Sequence, residues 1–251
     1  MVGQLIWWTG IALETVLFVR GFYGRLTHRF PIFYSYIGFV LLQEIARLLA
    51  FQQGGPTYKA VYWVTEFLGL AIGSLVVFEI YKVSLAAYPG AARMARSALA
   101  FVFSVALAKA LLNAPTSGVR WQASSTALEM ERALRSVQAT AIVALVLLFL
   151  LYSIPFGRNL RGILLGYGLF VGERVICLNF VSLQTHNFWF YAYSASYIGA
   201  LSLWLGHLWS YEPSPASRPG PKLEGEYRSV AAATQRRLQD LRGFLRKAVR
   251  S

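Results

Sequence analysis

Apolar stretches of about twenty residues follow one another from the start of the chain to about residue 211. A bilayer's hydrocarbon core is roughly 30 Å thick and a helix rises about 1.5 Å per residue, so each stretch is long enough to cross it. Seven are legible, at about 4–24, 31–52, 57–83, 95–114, 126–154, 157–182 and 187–211. The runs are long and continuous, not ten-residue alternations, which favours helices over a barrel. The chain is 56% hydrophobic and 14% charged, against roughly 25% charged in soluble domains. The expected fold is an all-α integral membrane protein, a seven-transmembrane-helix bundle over residues 1–211. The first stretch has neither a basic leader region nor a small-residue cleavage site, and is read as a retained helix.

The net charge is +13. In a soluble protein that would point to nucleic acid; here the expected surroundings are the lipid bilayer, with no nucleic-acid partner. The bases lie mainly in alternate connections: Arg25 and Arg29 with His28, then Lys82, Arg93 and Arg96, then Arg158 and Arg161. The intervening connections hold only Lys59, Arg120 and His186. By the positive-inside rule the N-terminus is outside and the C-terminus cytoplasmic. Short loops, a single cysteine, no N-glycosylation sequon and an excess of Arg over Lys point to a bacterial inner (plasma) membrane. This arrangement is similar to that of rhodopsins and G-protein-coupled receptors, at the level of topology alone.

After Tyr211 the composition changes. Residues 212–225 read as a Pro/Ser-rich linker and residues 226–251 as a basic amphipathic helix. Tyr227, Ala231, Thr234, Leu238, Leu241 and Leu245 follow a three-to-four spacing, with arginines filling the other positions. Such a helix is expected to lie on anionic lipid headgroups of the cytoplasmic leaflet. The alternative is pairing with a helix of a cytoplasmic protein partner.

Seven of the eleven acidic residues lie within or at the ends of the apolar stretches: Glu14, Glu44, Glu66, Glu79, Glu129, Glu131 and Glu173. A carboxylate at membrane depth is costly; it faces a bundle interior or a wet cavity and pairs with a base. Glu66 shares a helix face with Gly69 and Gly73, and Glu173 one with Gly162 and Gly166. Each glycine pair is a G-x-x-x-G, which lets helices approach closely. Those faces should point inward. The seventh stretch has a stripe of its own: Ala192, Ala195, Gly199, Ser202 and Gly206. Thr126 and Glu129 have the T-x-x-E spacing of a capping box.

Depth along the helices gathers Glu44, Arg47, Glu66, Lys109, Arg132, Arg135, Glu173 and Arg174 in the outer half of the bundle. Trp63, Tyr191 and Tyr193 are aromatic groups at the same level. These eleven are the candidate ligand-binding residues. Pairings of the type Glu44–Arg135 or Glu66–Lys109 are expected if the charges only fix helix register. If they form a pocket, five bases against three acids suit an anionic or zwitterionic ligand. Near the cytoplasmic edge, Arg20 and Lys82 are expected to snorkel, and Glu79 and His207 accompany them.

Several chemistries are excluded. No lysine occurs between Lys109 and Lys222, so a retinal Schiff base in the seventh helix is absent. Three histidines, His28 on the opposite side from His186, cannot assemble a three-His zinc site. The only aspartate is Asp240, which rules out a paired-aspartate protease. No H-E-x-x-H, G-x-S-x-G or P-loop occurs. No cofactor, metal or catalytic residue is expected. The leading expectation is a multi-pass, receptor-like sensor that binds a small ligand. A weak echo, Trp63 with Ile72-Gly73 and Trp189 with Ile198-Gly199, has the spacing of a duplication. It would fit a small-solute transporter with a 3+1+3 arrangement similar to SWEET proteins. A membrane enzyme using a buried glutamate as general base is the third reading.

Overall fold

A computed structural model describes residues 2–112, 123–152, 157–180 and 186–213, with Gly225, Ser229, Ala232, Ala233 and Arg236 of the tail. Seven α-helices and no strand occur among the described residues. They are α1 (Val2–Tyr23), α2 (Pro31–Gln53), α3 (Gly55–Ser84), α4 (Pro89–Leu112), α5 (Ala123–Tyr152), α6 (Arg158–Phe180) and α7 (His186–Leu208). Each coincides with one of the seven apolar stretches. Helices α1 to α5 each contain a segment long and apolar enough to cross a bilayer. This is the architecture of a helical, membrane-embedded protein. The linker and tail-helix expectations fall outside the described residues, apart from the five tail positions.

Helices α1, α2, α3, α5, α6 and α7 close a ring in sequence order, α7 returning to α1, and α4 packs outside it against α3 and α5. Two ends can be named from the chain itself. The Gly54 end holds the start of α1 and the α2–α3 turn; the Leu26 end holds the α1–α2 connection and the end of α7. Gly54 has φ 111°, a conformation open to glycine and strained for other residues. It lets α2 stop and α3 begin one residue apart.

The expected glycine faces are packing faces. On α6, Gly162 and Gly166 lie under His207 and Trp204 of α7, leaving no room for a Cβ. On α3, a Cβ at Gly73 would stand 2.6 Å from the Tyr167 hydroxyl of α6. That hydroxyl donates to the Gly73 carbonyl at 2.6 Å. The small-residue stripe of α7 behaves differently: Ala195, Ser202 and Gly206 are exposed, and the helix buries Ala200, Leu201, Trp204 and Leu208 instead. The glycines that seat these bulky residues belong to α6, so α7 supplies knobs, not holes. The two glycines of the internal echo also have unlike neighbours, Tyr167 and Gln138 around Gly73 and Leu169 beside Gly199. Thr126 lies inside α5, which begins three residues earlier at Ala123.

At the Leu26 end, several polar side chains are matched to backbone, beside an Arg158–Glu212 ion pair at 2.6 Å and two buried hydroxyls, Tyr34 and Ser84, without a partner among the described residues. Pro31 occupies the first turn of α2, but Phe30 supplies no side-chain cap. Glu79 of α3 does so from across the bundle, accepting from the Ile32 N–H at 2.9 Å and the Phe33 N–H at 2.8 Å. A carboxylate suits the positive end of a helix and its orphan N–H groups. Asn159 of α6 donates to the carbonyls of His207 and Ser210 and accepts from the Glu212 N–H, each at 2.7 Å. Arg20 donates to the Trp209 carbonyl at 2.8 Å, with its guanidinium 5.0 Å from the Trp209 ring centre.

Candidate polar site at the Gly54 end

Five charged residues of the other half form one chain of contacts through α2, α3, α5 and α6. Arg47 donates to Glu66 at 2.9 Å and to Thr65 at 3.2 Å, and lies over the Tyr62 ring at 4.4 Å. With its amide oriented to satisfy both of its ends, Gln43 accepts from Arg47 and donates to the Thr65 carbonyl, all at 3.1 Å. Arg174 of α6 donates to Glu131 of α5 at 2.7 Å and lies 3.9 Å from Glu66. Its guanidinium stacks on Tyr193 of α7 at 5.0 Å. Glu131 is also 3.9 Å from Arg135, one helical turn along α5. Arg135, 4% exposed, lies over Phe170 at 4.9 Å and donates to Gln138 at 3.3 Å. Gln138 then donates to Ser74 at 3.0 Å, which closes on the Leu70 carbonyl at 2.9 Å.

Helix α1 approaches from the other side. Trp7 donates to Glu44 at 2.6 Å, and Tyr197 of α7 donates to Glu14. Glu14 and Glu44 differ from Glu66 and Glu131. Neither has a basic ion-pair partner among the described residues.

Two cavities occupy the space between these groups. The first, about 90 Å³, is lined by Glu44, Arg47, Glu66, Arg135, Phe170 and Tyr193, among others. The second, about 220 Å³, lies against α1 and is lined by Trp7, Gly10, Glu14, Glu44, Tyr193 and Tyr197, among others. Glu44, Tyr193 and Tyr197 line both, so the two cavities adjoin. Among the described residues, two buried polar atoms in this region have no hydrogen-bond partner, Glu14 Oε2 and Arg135 Nε. Buried polar groups are nearly always satisfied, and an orphan asks for a reason.

The eleven sequence-derived candidates divide. Glu44, Arg47, Glu66, Arg135, Arg174 and Tyr193 come together around the cavities. Lys109 on α4 is exposed and makes no ion pair among the described residues; α4 lies outside the ring, so its position on the helix could not carry it inward. Arg132 is exposed and donates to the Leu178 carbonyl at 3.0 Å. Tyr191 is 50% exposed. Glu173 accepts from Cys177 at 2.6 Å, one turn away on its own helix, and makes no ion pair among the described residues. Trp63 is half-buried and packs edge-on to Tyr62. The ion pairs also differ from the expected ones: Glu66 takes Arg47 and Arg174, not Lys109, and Glu44 takes Trp7, not Arg135.

The candidate set lacked Glu14, Glu131, Gln138, Trp7 and Tyr197. A signal for Glu14 exists: it falls on one helical face with Trp7, Gly10 and Ile11. These changes reverse the charge balance. Around the connected polar interior stand Glu14, Glu44, Glu66 and Glu131 against Arg47, Arg135 and Arg174, four acids to three bases. No protein-family model, no characterised protein and no solved structure matches the chain.

Proposed function

We propose that this protein is a multi-pass receptor-like sensor of the inner membrane, with seven spans, N-out and C-in. It binds a small zwitterionic ligand in the paired cavities at the Gly54 end of the bundle, which this topology turns outward. The observation that carries the reading is Arg135. It is buried and borders the smaller cavity. Among the described residues its Nε has no partner, and its nearest carboxylate is 3.9 Å away. A guanidinium is rigid and always charged, and matches a carboxylate bidentately. Arg47 and Arg174 already hold carboxylates at 2.9 and 2.7 Å, which leaves Arg135 for the acidic end of a ligand. Ligand pockets usually hold roughly 300–1,000 Å³. Cavities of about 90 and 220 Å³ therefore suit a small metabolite.

Binding to a ring whose helices meet through buried arginines gives a ligand leverage over helix position. A shift there would pass along α7 to the tail on the cytoplasmic side. The carrier reading has no separate observation in its favour, because the echo residues do not pack alike. The test is thermal unfolding of the purified protein with a panel of small amino acids. Ligand at about 100 times its Kd stabilises by roughly 2.7 kcal/mol. Stabilisation by at least one member, lost in a folded Arg135→Gln variant, is the expected result. No response to any member removes the reading. Orientation is tested by cysteines at Gly90 and Ser117 in a Cys177→Ser background. They should label from opposite sides of the membrane, Ser117 from outside.

A further inference from the structure

We infer that Glu14 is the ammonium-binding end of the site: the larger cavity takes a protonated primary amine, held by the Glu14 carboxylate among the rings of Trp7, Tyr193 and Tyr197. The inference rests on the ligand-binding reading above and deepens it.

The lining positions on α1 are Gly3, Ile6, Trp7, Gly10, Ile11 and Glu14. They form one helical face that runs from Gly3 to Glu14, about 16 Å at 1.5 Å per residue. The cavity therefore follows α1 from its first turn, at the bundle surface, down to Glu14. Gly10 keeps it open at half its length, since the nearest atom to a Cβ placed there is the Tyr197 ring at 3.8 Å. The opposite wall is α7, with Tyr193, Ser194, Tyr197 and Ile198.

Glu14 closes the bottom and is 2% exposed. One oxygen accepts from the Tyr197 hydroxyl; the other, Oε2, is buried with no donor among the described residues. Glu44 stands beside it on α2 and, among the described residues, receives only Trp7 Nε1. No arginine, lysine or histidine lies within ion-pair distance of either carboxylate among the described residues. Elsewhere in the bundle each deeply buried acid has its counterpart. Glu131 has Arg174, and Glu79 has the start of α2. A carboxyl pair without a basic partner among the described residues, beside a space walled by aromatic rings, is the chemistry that a mobile cation matches. A primary ammonium donates N–H to Glu14 Oε2 and presents its charge to the ring faces. The cavities adjoin at Glu44, Tyr193 and Tyr197, so the same molecule's acidic end can reach Arg135. The ligand's amine points toward α1 and its acid toward α5.

The test uses the full chain in phosphatidylcholine nanodiscs and three soluble probes at matched ionic strength. The probes are propylammonium chloride, sodium propionate and 4-aminobutyrate. Each is read by thermal shift and calorimetry. Propylammonium and propionate should each bind weakly and 4-aminobutyrate more tightly. Glu14→Gln should abolish the propylammonium response and weaken 4-aminobutyrate at least tenfold, leaving propionate unchanged. Arg135→Gln should give the mirror image. Glu14→Asp keeps the charge on a shorter arm, and should retain propylammonium at reduced affinity; it serves if Glu14→Gln does not fold. If propionate binds while propylammonium does not, the ammonium site is overturned and the arginine site stands. If propylammonium binds equally well to wild type and Glu14→Gln, Glu14 is not its partner and the inference fails. If no probe binds, both readings fall. Nanodiscs containing phosphatidylethanolamine separate a free amine from a lipid headgroup amine: competition with propylammonium, lost in Glu14→Gln, assigns the headgroup as a second source at the same site.

Discussion

The two ends of the bundle use their charged and polar side chains differently. At the Leu26 end the principal groups are matched to backbone. Glu79 holds the first N–H groups of α2, and Asn159 closes the end of α7 through three bonds of 2.7 Å. At the Gly54 end the same residue types meet each other across the ring and enclose space. Two charged side chains there, Glu14 and Arg135, keep buried atoms without partners among the described residues, whereas the orphans of the Leu26 end, Tyr34 and Ser84, are neutral hydroxyls. The first end is organised as a fastening. The second holds charge in excess of what its own contacts satisfy, and proteins tolerate that cost where a ligand repays it.

Substitutions at the two ends sharpen the contrast. The largest loss is expected for Glu79→Ala, which strips two charge-assisted bonds from the buried start of α2. About 3 kcal/mol of unfolding free energy should go, measured by thermal or detergent unfolding, with Glu79→Gln intermediate. A loss under 0.5 kcal/mol would remove the cap from the account. Asn159→Ala should cost about 2 kcal/mol, because the carbonyls of His207 and Ser210 and the Glu212 N–H lose their partner. Frayed α7 amides in hydrogen exchange would locate the damage. Gly166→Ala should cost about 1–2 kcal/mol by overpacking against Trp204, and a variant at wild-type stability would mean that α6 and α7 do not meet there. At the Gly54 end, Glu66→Gln leaves Arg47 with Gln43 and Thr65 and leaves Arg174 with Glu131. Its cost should be about 1 kcal/mol, well under the roughly 3–5 kcal/mol of breaking an isolated buried pair. A larger loss would make this network a fastening too, and the contrast would break. Smallest of all, Lys109→Ala and Arg132→Ala should stay within about 0.5 kcal/mol and leave ligand response intact.

Part of the site was legible in the sequence. Glu44, Arg47, Glu66, Arg135 and Arg174 can be placed at one level by counting residues along helices. Glu66 points inward by the glycines that share its face. Lys109 sits at a matching depth yet on the helix outside the ring, and depth carries no information about which helix is peripheral. Glu173 shares the glycine face of α6, but that face is used a full turn and more away, where Gly166 receives Trp204. Glu14 was legible as a buried acid and not as a site residue, because its meaning depends on Tyr197, 183 positions later in the chain. Glu79 looked like an interfacial charge because nothing local announces that it caps a helix 46 and 47 residues away.

Length and apolarity alone determine that this chain forms helices fit for a membrane, and roughly where each begins and ends. In a medium without water every backbone polar group must be satisfied within its own segment. That makes each helix a local property of its own twenty residues. Which carboxylate meets which base was decided only by the tertiary structure. A side chain's partner depends on the order of helices in the ring and on their rotation, and those are fixed by packing between residues far apart in sequence. The cavities between α1, α2, α5 and α7 belong to that second kind of information, since empty space is a property of what several helices together fail to fill.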